Sequence, residues 1–265
     1  MSRTLALITG ASSGIGAAYA RLLAPDHDLI LVARRADRLE DLAKQLRADG
    51  TAVELLPADL TTDDGIASVT GRLAAGDVRM LISNAGAGGY APLTEVDPAD
   101  INHLLTLNFI APVQLVRAAL PGMLAAGEGS IVAVASLLAF SAGSADPLVP
   151  RRTLYAGAKA GMLAFIRTLA GELTDTPVRM QVVCPSVVAT DFDGGAGYNV
   201  PWAMSPEDVA SASLAGLRLG ETICVPGLED QATALDTFFS AESDILSGGR
   251  RPALAARYTE VRESR

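Results

Sequence analysis

Thr9-Gly10-Ala11-Ser12-Ser13-Gly14-Ile15-Gly16 joins an apolar run, Thr4 to Ile8, to an amphipathic segment that starts at Ile15. That succession predicts a strand, a glycine turn and a helix. Glycine at 10 and 14 permits positive φ and lets a ligand's phosphates come close to the backbone, while Gly16 lets the helix pack tightly on the sheet. The helix start then presents unpaired N–H groups and the positive end of its dipole, which suit a pyrophosphate. The spacing, G-x3-G-x-G, differs from the G-x-G-x-x-G of the common dinucleotide fingerprint. Taken alone, the turn also fits a tight strand-to-helix connection that binds nothing, so the rest of the chain decides.

With 265 residues and 49% apolar side chains, the chain has ample material for a buried core and suits one large domain or two small ones. Its net charge of −9 argues against a nucleic-acid surface or an anionic membrane as partner, although a local basic patch could still hold one phosphate. No basic N-terminal region is followed by a long apolar core, and no apolar run approaches the ~20 residues that span a bilayer. A cytoplasmic location and no membrane partner are therefore expected. Cys184 and Cys224 each lie inside a strand-like apolar run, which suits reduced core thiols better than a disulfide. With His27 and His103 they form no metal-ligand spacing, so no metal is expected.

The first helix should stop near Pro25, and Asp28 to Ala33 reads as a second apolar strand with Arg34-Arg35 at its C-terminal end. In a doubly wound sheet that end meets the adenosine ribose, where an acid accepts from a free 2′-OH and arginine pairs with a 2′-phosphate. Two arginines and no acid favour NADP (NADPH) over NAD; the alternative is that one or both are solvated helix-start residues. Leu39, Leu42 and Leu46 stripe the next helix, with Glu40 and Lys44 spaced to pair and Gly50 as its stop. A third strand, Ala52 to Leu56, delivers Asp59-Leu60 just past its end. Thr61 or Thr62 can cap a helix whose Ile66, Val69 and Leu73 face the sheet. Asp59 is placed to meet the adenine edge, unless it serves as a cap.

Strand four, Val78 to Ile82, opens into Ser83-Asn84-Ala85-Gly86. Asp97-Pro98 begins a long helical segment that carries Asn108 and, one turn later, Pro112, which cannot donate to the Asn108 carbonyl. A bend near Asn108 is expected. Strand five, Ser130 to Ala135, ends in Ser136; a loop, Leu137 to Thr153, precedes a helix from about Leu154 to Leu173 with Tyr155 and Lys159 on one face. Val178 to Cys184 is strand six, Ser186 to Met204 is glycine-rich, Ser205 starts a helix with Asp208 in the capping-box place, and Glu221 to Val225 reads as a last strand. The pattern is α/β: a doubly wound parallel sheet of about seven strands with helices on both faces. One domain over residues 1–265 is expected, with substrate loops at about 137–153 and 186–204 and a C-terminal extension from about 228 carrying one or two helices and a polar tail.

TGASSGIG at Thr9 to Gly16, Asn84-Ala85-Gly86, Asn108, Ser136 and Tyr155-Ala156-Gly157-Ala158-Lys159 follow one another in an order and spacing that resembles the short-chain dehydrogenase/reductase family. The resemblance runs from about Leu5 to Gly227. It implies that Tyr155 is the general acid or base at a carbonyl or alcohol oxygen, and that Lys159, with a cationic nicotinamide, lowers the phenol's pKa. Ser136 would orient the substrate oxygen, and the Asn108 carbonyl, through water, would complete a proton relay. It further implies a cofactor lying against Gly10, Ser12, Ser13, Gly14, Ile15 and Gly16, then Arg34, Arg35, Asp59 and Leu60, then Asn84, Ala85 and Gly86, and finally Tyr155, Lys159, Pro185, Val188 and Thr190. A homodimer or homotetramer, through the helices bearing Asn108 and Tyr155, is expected on the same ground.

Two departures stand out. Ser136 and Tyr155 are farther apart than is usual in the family, so the stretch with Asp146, Pro147, Pro150, Arg151 and Arg152 reads as an insertion beside the substrate. Pro185-Ser186 stands where Pro-Gly is usual. Leu137, Leu138, Phe140, Phe192, Tyr198 and Trp202 could line a pocket for an apolar carbonyl or alcohol substrate, or serve as core and contact residues. Arg151 and Arg152 could read a carboxylate or simply face solvent. The leading expectation is an NADP-dependent oxidoreductase; an NAD-dependent enzyme of the same family and a non-catalytic NADP-sensing protein are the alternatives.

Overall fold

Seven parallel strands form one sheet in the order β3-β2-β1-β4-β5-β6-β7. They are β1 (Thr4–Thr9), β2 (His27–Ala33), β3 (Val53–Pro57), β4 (Val78–Ser83), β5 (Gly129–Val134), β6 (Val178–Val183) and β7 (Ile223–Cys224). The computed structural model describes residues 3–144 and 149–258. Asp146 and Pro147 of the expected substrate loop, and the end of the polar tail, lie outside the described residues. Leu29, Ile30, Leu31 and Val32 are all fully buried, so successive side chains of β2 enter apolar layers on both faces of the sheet.

One layer holds α1 (Gly14–Leu23), α2 (Ala36–Ala48) and α7 (Pro206–Leu219), whose Tyr19, Leu39, Leu42 and Val209 pack against Ile8, Leu31 and Val183. The other holds α3 (Asp63–Leu73), α5 (Ala111–Ala126) and α6 (Thr153–Glu172). Burying a leucine of the α2 stripe contributes about 2 kcal/mol. The strand order reverses between β1 and β4, which opens a crevice at their carboxyl ends.

Thr62 caps α3 by accepting from Gly65 N at 3.1 Å, and Asp97 caps α4 (Pro98–Leu105) by accepting from Ala99 N at 2.8 Å. The expected bend is a single widened π turn over Thr106–Ile110 between α4 and α5. Pro112 lacks the N–H that an α-helix would need there, and the Asn108 amide donates to the Leu104 carbonyl at 3.0 Å. Taken through this turn, Pro98–Ala126 is long enough, and over an 18-residue stretch with mean hydropathy 1.5 apolar enough, to cross a membrane by length and composition alone, as the core helix of a folded domain also can be.

Two expectations need correction. Glu40 pairs with Arg47 at 3.3 Å and Lys44 with Asp41 at 3.7 Å, instead of with each other; all four are exposed, where such pairs contribute little. The last strand contracts to Ile223–Cys224 because Glu221 closes the preceding helix: Gly220 is left-handed at φ 80°, and Glu221 N donates to the Gly216 carbonyl at 2.9 Å. Contacts divide the chain after Gly227. In the second unit, α8 (Gln231–Gly248) is capped by Asp230, which accepts from Thr233 N, and buries none of its residues.

Candidate active site

A cavity of about 1150 Å³ lies at the carboxyl ends of the strands and runs from the glycine turn to Trp202. All the residues expected at cofactor or reaction line it except Gly16 and Asn108, which act from behind its wall. Gly10 and Gly14 have φ of 68° and 54°. A Cβ on Gly10 would lie 2.7 Å from Asn84 Nδ2, one on Gly14 would lie 2.9 Å from Thr190 Cγ2, and one on Gly16 would strike the Gly10 carbonyl oxygen. The close approach at Gly16 is therefore to the turn itself, where packing on the sheet was expected. Ser13 starts α1 without a side-chain cap, leaving the first helical N–H groups to the cavity.

At the far end of β2, Arg35 Nη2 donates to Ser12 Oγ at 3.1 Å and Ser13 Oγ at 3.2 Å, so its charge lies over the glycine turn. Arg34 lines the same wall. Asp59 faces inward, but its Oδ1 accepts from both the N–H and the hydroxyl of Thr61. Burial pulls this carboxyl upward, and the Thr61 bonds outweigh it and hold the group below its ordinary range.

Two asparagines fix the loop after β4. Asn84 Nδ2 donates to the Thr9 carbonyl at 3.0 Å, and the N–H groups of Asn84 and Ala85 both donate to Thr9 Oγ1. Asn108, itself buried, donates from Nδ2 to the Ala87 carbonyl at 3.0 Å and accepts from Ala87 N at 3.4 Å. The glycines that follow are needed for space: a Cβ on Gly88 would lie 2.7 Å from Asp193 Oδ1, and one on Gly89 would strike Leu104. This threading delivers Tyr90 into the cavity.

Ser136, just past β5, accepts from Leu138 N at 3.1 Å and lines the cavity together with Tyr155. Lys159, one turn further along α6, donates from Nζ to the Val134 carbonyl at 3.0 Å and stands 5.5 Å from the Tyr155 ring centre. Burial lowers its pKa from the ordinary 10.5 to about 8. Burial first, then Tyr90, raises that of Tyr155, and Ser136 acts against them.

On the substrate side Leu137, Leu138, Phe192 and Trp202 line the cavity, whereas Phe140 and Tyr198 do not. Tyr198 is on the outer surface and donates to Asp191 Oδ1 at 3.2 Å. Arg152 donates to Ser141 Oγ at 2.8 Å and to the Ser141 carbonyl at 2.7 Å, so its guanidinium is engaged by Ser141 instead of facing solvent. Sequence reasoning missed Tyr90, Arg38, Asp191 and Asp193. The only advance signals were the Gly88-Gly89 pair and the Asp193-Gly194-Gly195 run, whose three residues all have positive φ. Among the described residues no group of three or more His, Cys, Asp or Glu side chains is placed to hold a metal ion.

A family model described as short chain dehydrogenase matches residues 4–198. The cis-4-hydroxycyclohexanecarboxylate dehydrogenase of Sinomonas cyclohexanicum is 33% identical over 221 residues, 78% of this chain and 86% of that protein. A short-chain dehydrogenase from Sphingobium yanoikuyae, solved in complex with NADPH, superposes with a TM-score of 0.89 at 34% identity, covering 96% of this chain and 99% of that one. The bulky-bulky ketone specific alcohol dehydrogenase from Comamonas testosteroni superposes with a TM-score of 0.87 at 31% identity, covering 97% and 99%.

Proposed function

Since this chain belongs to the short-chain dehydrogenase family and is an oxidoreductase with a nicotinamide cofactor, we propose that it uses NADPH to reduce a bulky, apolar ketone or aldehyde. The observation that carries this reading is Tyr155 beside buried Lys159 and lining, with Ser136, the same cavity that ends at Arg34 and Arg35. The residues fit the cofactor: left-handed glycines leave room at the backbone, α1 offers free N–H groups, and Arg35 supports recognition of a 2′-phosphate. When bound, the nicotinamide supplies the hydride.

The chain's own residues do the rest. Ser136 and Tyr155 hold the substrate oxygen, and Tyr155 donates the proton that oxygen needs as it becomes an alkoxide. Lys159 stands where a proton can be returned to Tyr155, and the Asn108 carbonyl, to which Pro112 has no N–H to donate, supports a water link to solvent. Leu138, Phe192 and Trp202 favour an apolar substrate, as do the ketones named for the Comamonas relative. The apolar face of the α4–α5 segment, with Ile110 and Leu124 exposed, supports a homo-oligomer. Side-by-side calorimetric titration with NADPH and NADH, followed by a ketone panel read at the NADPH absorbance, tests the reading. Tighter NADPH binding with turnover supports it; equal binding overturns the cofactor choice, and binding without turnover of any carbonyl overturns the reaction.

A further inference from the structure

Two further aromatic rings lie against that of Tyr155, and they come from different loops. Tyr90, on the loop after β4, packs edge-on, with ring centres 5.2 Å apart and planes at 64°. Phe192, on the loop after β6, stands with centres 6.1 Å apart and planes at 58°. Both line the cavity, and because β5 runs between β4 and β6 the two loops flank the strand that delivers Ser136. The two walls are held very differently. Asn108 grips Ala87 by its carbonyl and its N–H, and Gly88 and Gly89 pass where a Cβ would meet Asp193 or Leu104, so the Tyr90 ring leaves a fixed stretch of backbone. Phe192 is 36% exposed and is followed by Asp193, Gly194 and Gly195, all left-handed. Its loop is tied to α2 through the Arg38–Asp191 pair, and a pair so exposed contributes little.

We propose that Tyr90 is a specificity-determining residue: its ring is a fixed wall beside Tyr155 that limits one substituent of the substrate carbonyl to a small group, while the larger substituent lies along Phe192. This deepens the reading of a bulky ketone or aldehyde and rests on Tyr155 being the general acid. A carbonyl oxygen held by the Tyr155 hydroxyl brings both substituents of its carbon next to the walls nearest that ring. A wall that cannot move rejects added methylenes by overpacking, whereas one that can shift accepts them. Enlarging the group on the Tyr90 side therefore costs transition-state binding, and enlarging it on the Phe192 side is taken up by the loop. The substrate class that follows is an aldehyde or a methyl-type ketone with one large apolar arm. With the oxygen and both arms in assigned places, one face of the carbonyl meets the cofactor, and a ketone gives one enantiomer of its alcohol.

The test is kcat/KM with NADPH for naphthyl ketones whose second substituent grows from methyl through propyl to phenyl, together with the enantiomeric excess of each alcohol. In the native protein kcat/KM should fall along the series. Tyr90→Ala should raise the propyl and phenyl members relative to methyl by about tenfold or more, the discrimination expected of a few methylenes in a packed site, and lower their enantiomeric excess. Tyr90→Phe keeps the ring and should keep the native ratio, whatever its rate. Phe192→Ala should weaken all members together without changing their order. If Tyr90→Ala does not fold, Tyr90→Leu decides by the same ratio. A ratio unchanged when the Tyr90 ring is removed, or one that moves in Phe192→Ala instead, overturns the proposal and leaves the ketone reading standing. NADPH binding with no turnover of any carbonyl overturns that reading, and the role of Tyr90 falls with it.

Discussion

Asn108 grips Ala87 by both of its backbone groups, donating to the carbonyl at 3.0 Å and accepting from the N–H at 3.4 Å. One side chain at a π turn thereby fixes the loop that carries Asn84 to Tyr90. Asn108→Ala removes that grip and takes from the part-buried N–H and carbonyl of Ala87 their side-chain partner. A loss of about 1–3 kcal/mol in stability is expected, together with a fall in turnover of at least tenfold. Urea denaturation and steady-state rates on one preparation check both. Lost stability with unchanged turnover would place the loop outside catalysis.

Arg35 is already over the glycine turn through Ser12 and Ser13, so a 2′-phosphate meets an ordered guanidinium. Arg35→Ala should weaken NADPH binding about tenfold to a hundredfold, the range for a charged hydrogen bond, and leave NADH binding nearly unchanged. Calorimetry with both cofactors measures it. Equal losses for the two would remove the argument for NADP.

Lys159 links stability to pH. Its folded pKa of about 8 lies below the ordinary 10.5, so between these values the unfolded chain binds more protons than the native one. Stability should therefore rise as pH passes from about 8 to 10.5, and below 8 the buried charge costs of order 3 kcal/mol. In Lys159→Met this rise should vanish, which urea midpoints of the cofactor-free protein across that range would reveal. A rise that persists in the variant would locate the titrating group elsewhere.

Arg38 and Asp191 form a 2.9 Å ion pair that ties α2 to the loop after β6, beside Arg35. Arg38 first, then the Tyr198 hydroxyl, holds the Asp191 carboxyl below its ordinary range. Both partners are nearly half exposed, so the link is weak and sensitive to salt. Asp191→Asn should speed NADPH release about twofold to fivefold at low salt, with the difference fading at high salt in stopped-flow displacement.

Much of this was legible because period and punctuation agreed. The strands are near-continuous apolar runs that end in small or polar residues, which fixed their limits to within a residue or two. The break at Asn108 followed from a missing N–H on Pro112. The last strand misled because Glu221 satisfies α7 before it can join the sheet, a choice made by Gly220 taking a left-handed turn. Tyr90 and the Arg38–Asp191 pair were hidden for another reason: each gains its partner only through chain segments far apart in sequence. Nothing local distinguishes them from an ordinary loop tyrosine or a solvated arginine.

The most direct measurement is NADPH oxidation with a bulky ketone by the native protein and by Tyr155→Phe, each first shown to bind NADPH. The native protein should consume NADPH and form the alcohol, and the variant should bind NADPH equally well while its turnover falls by a factor of about 100 or more. Full turnover in the variant would contradict the account at its centre.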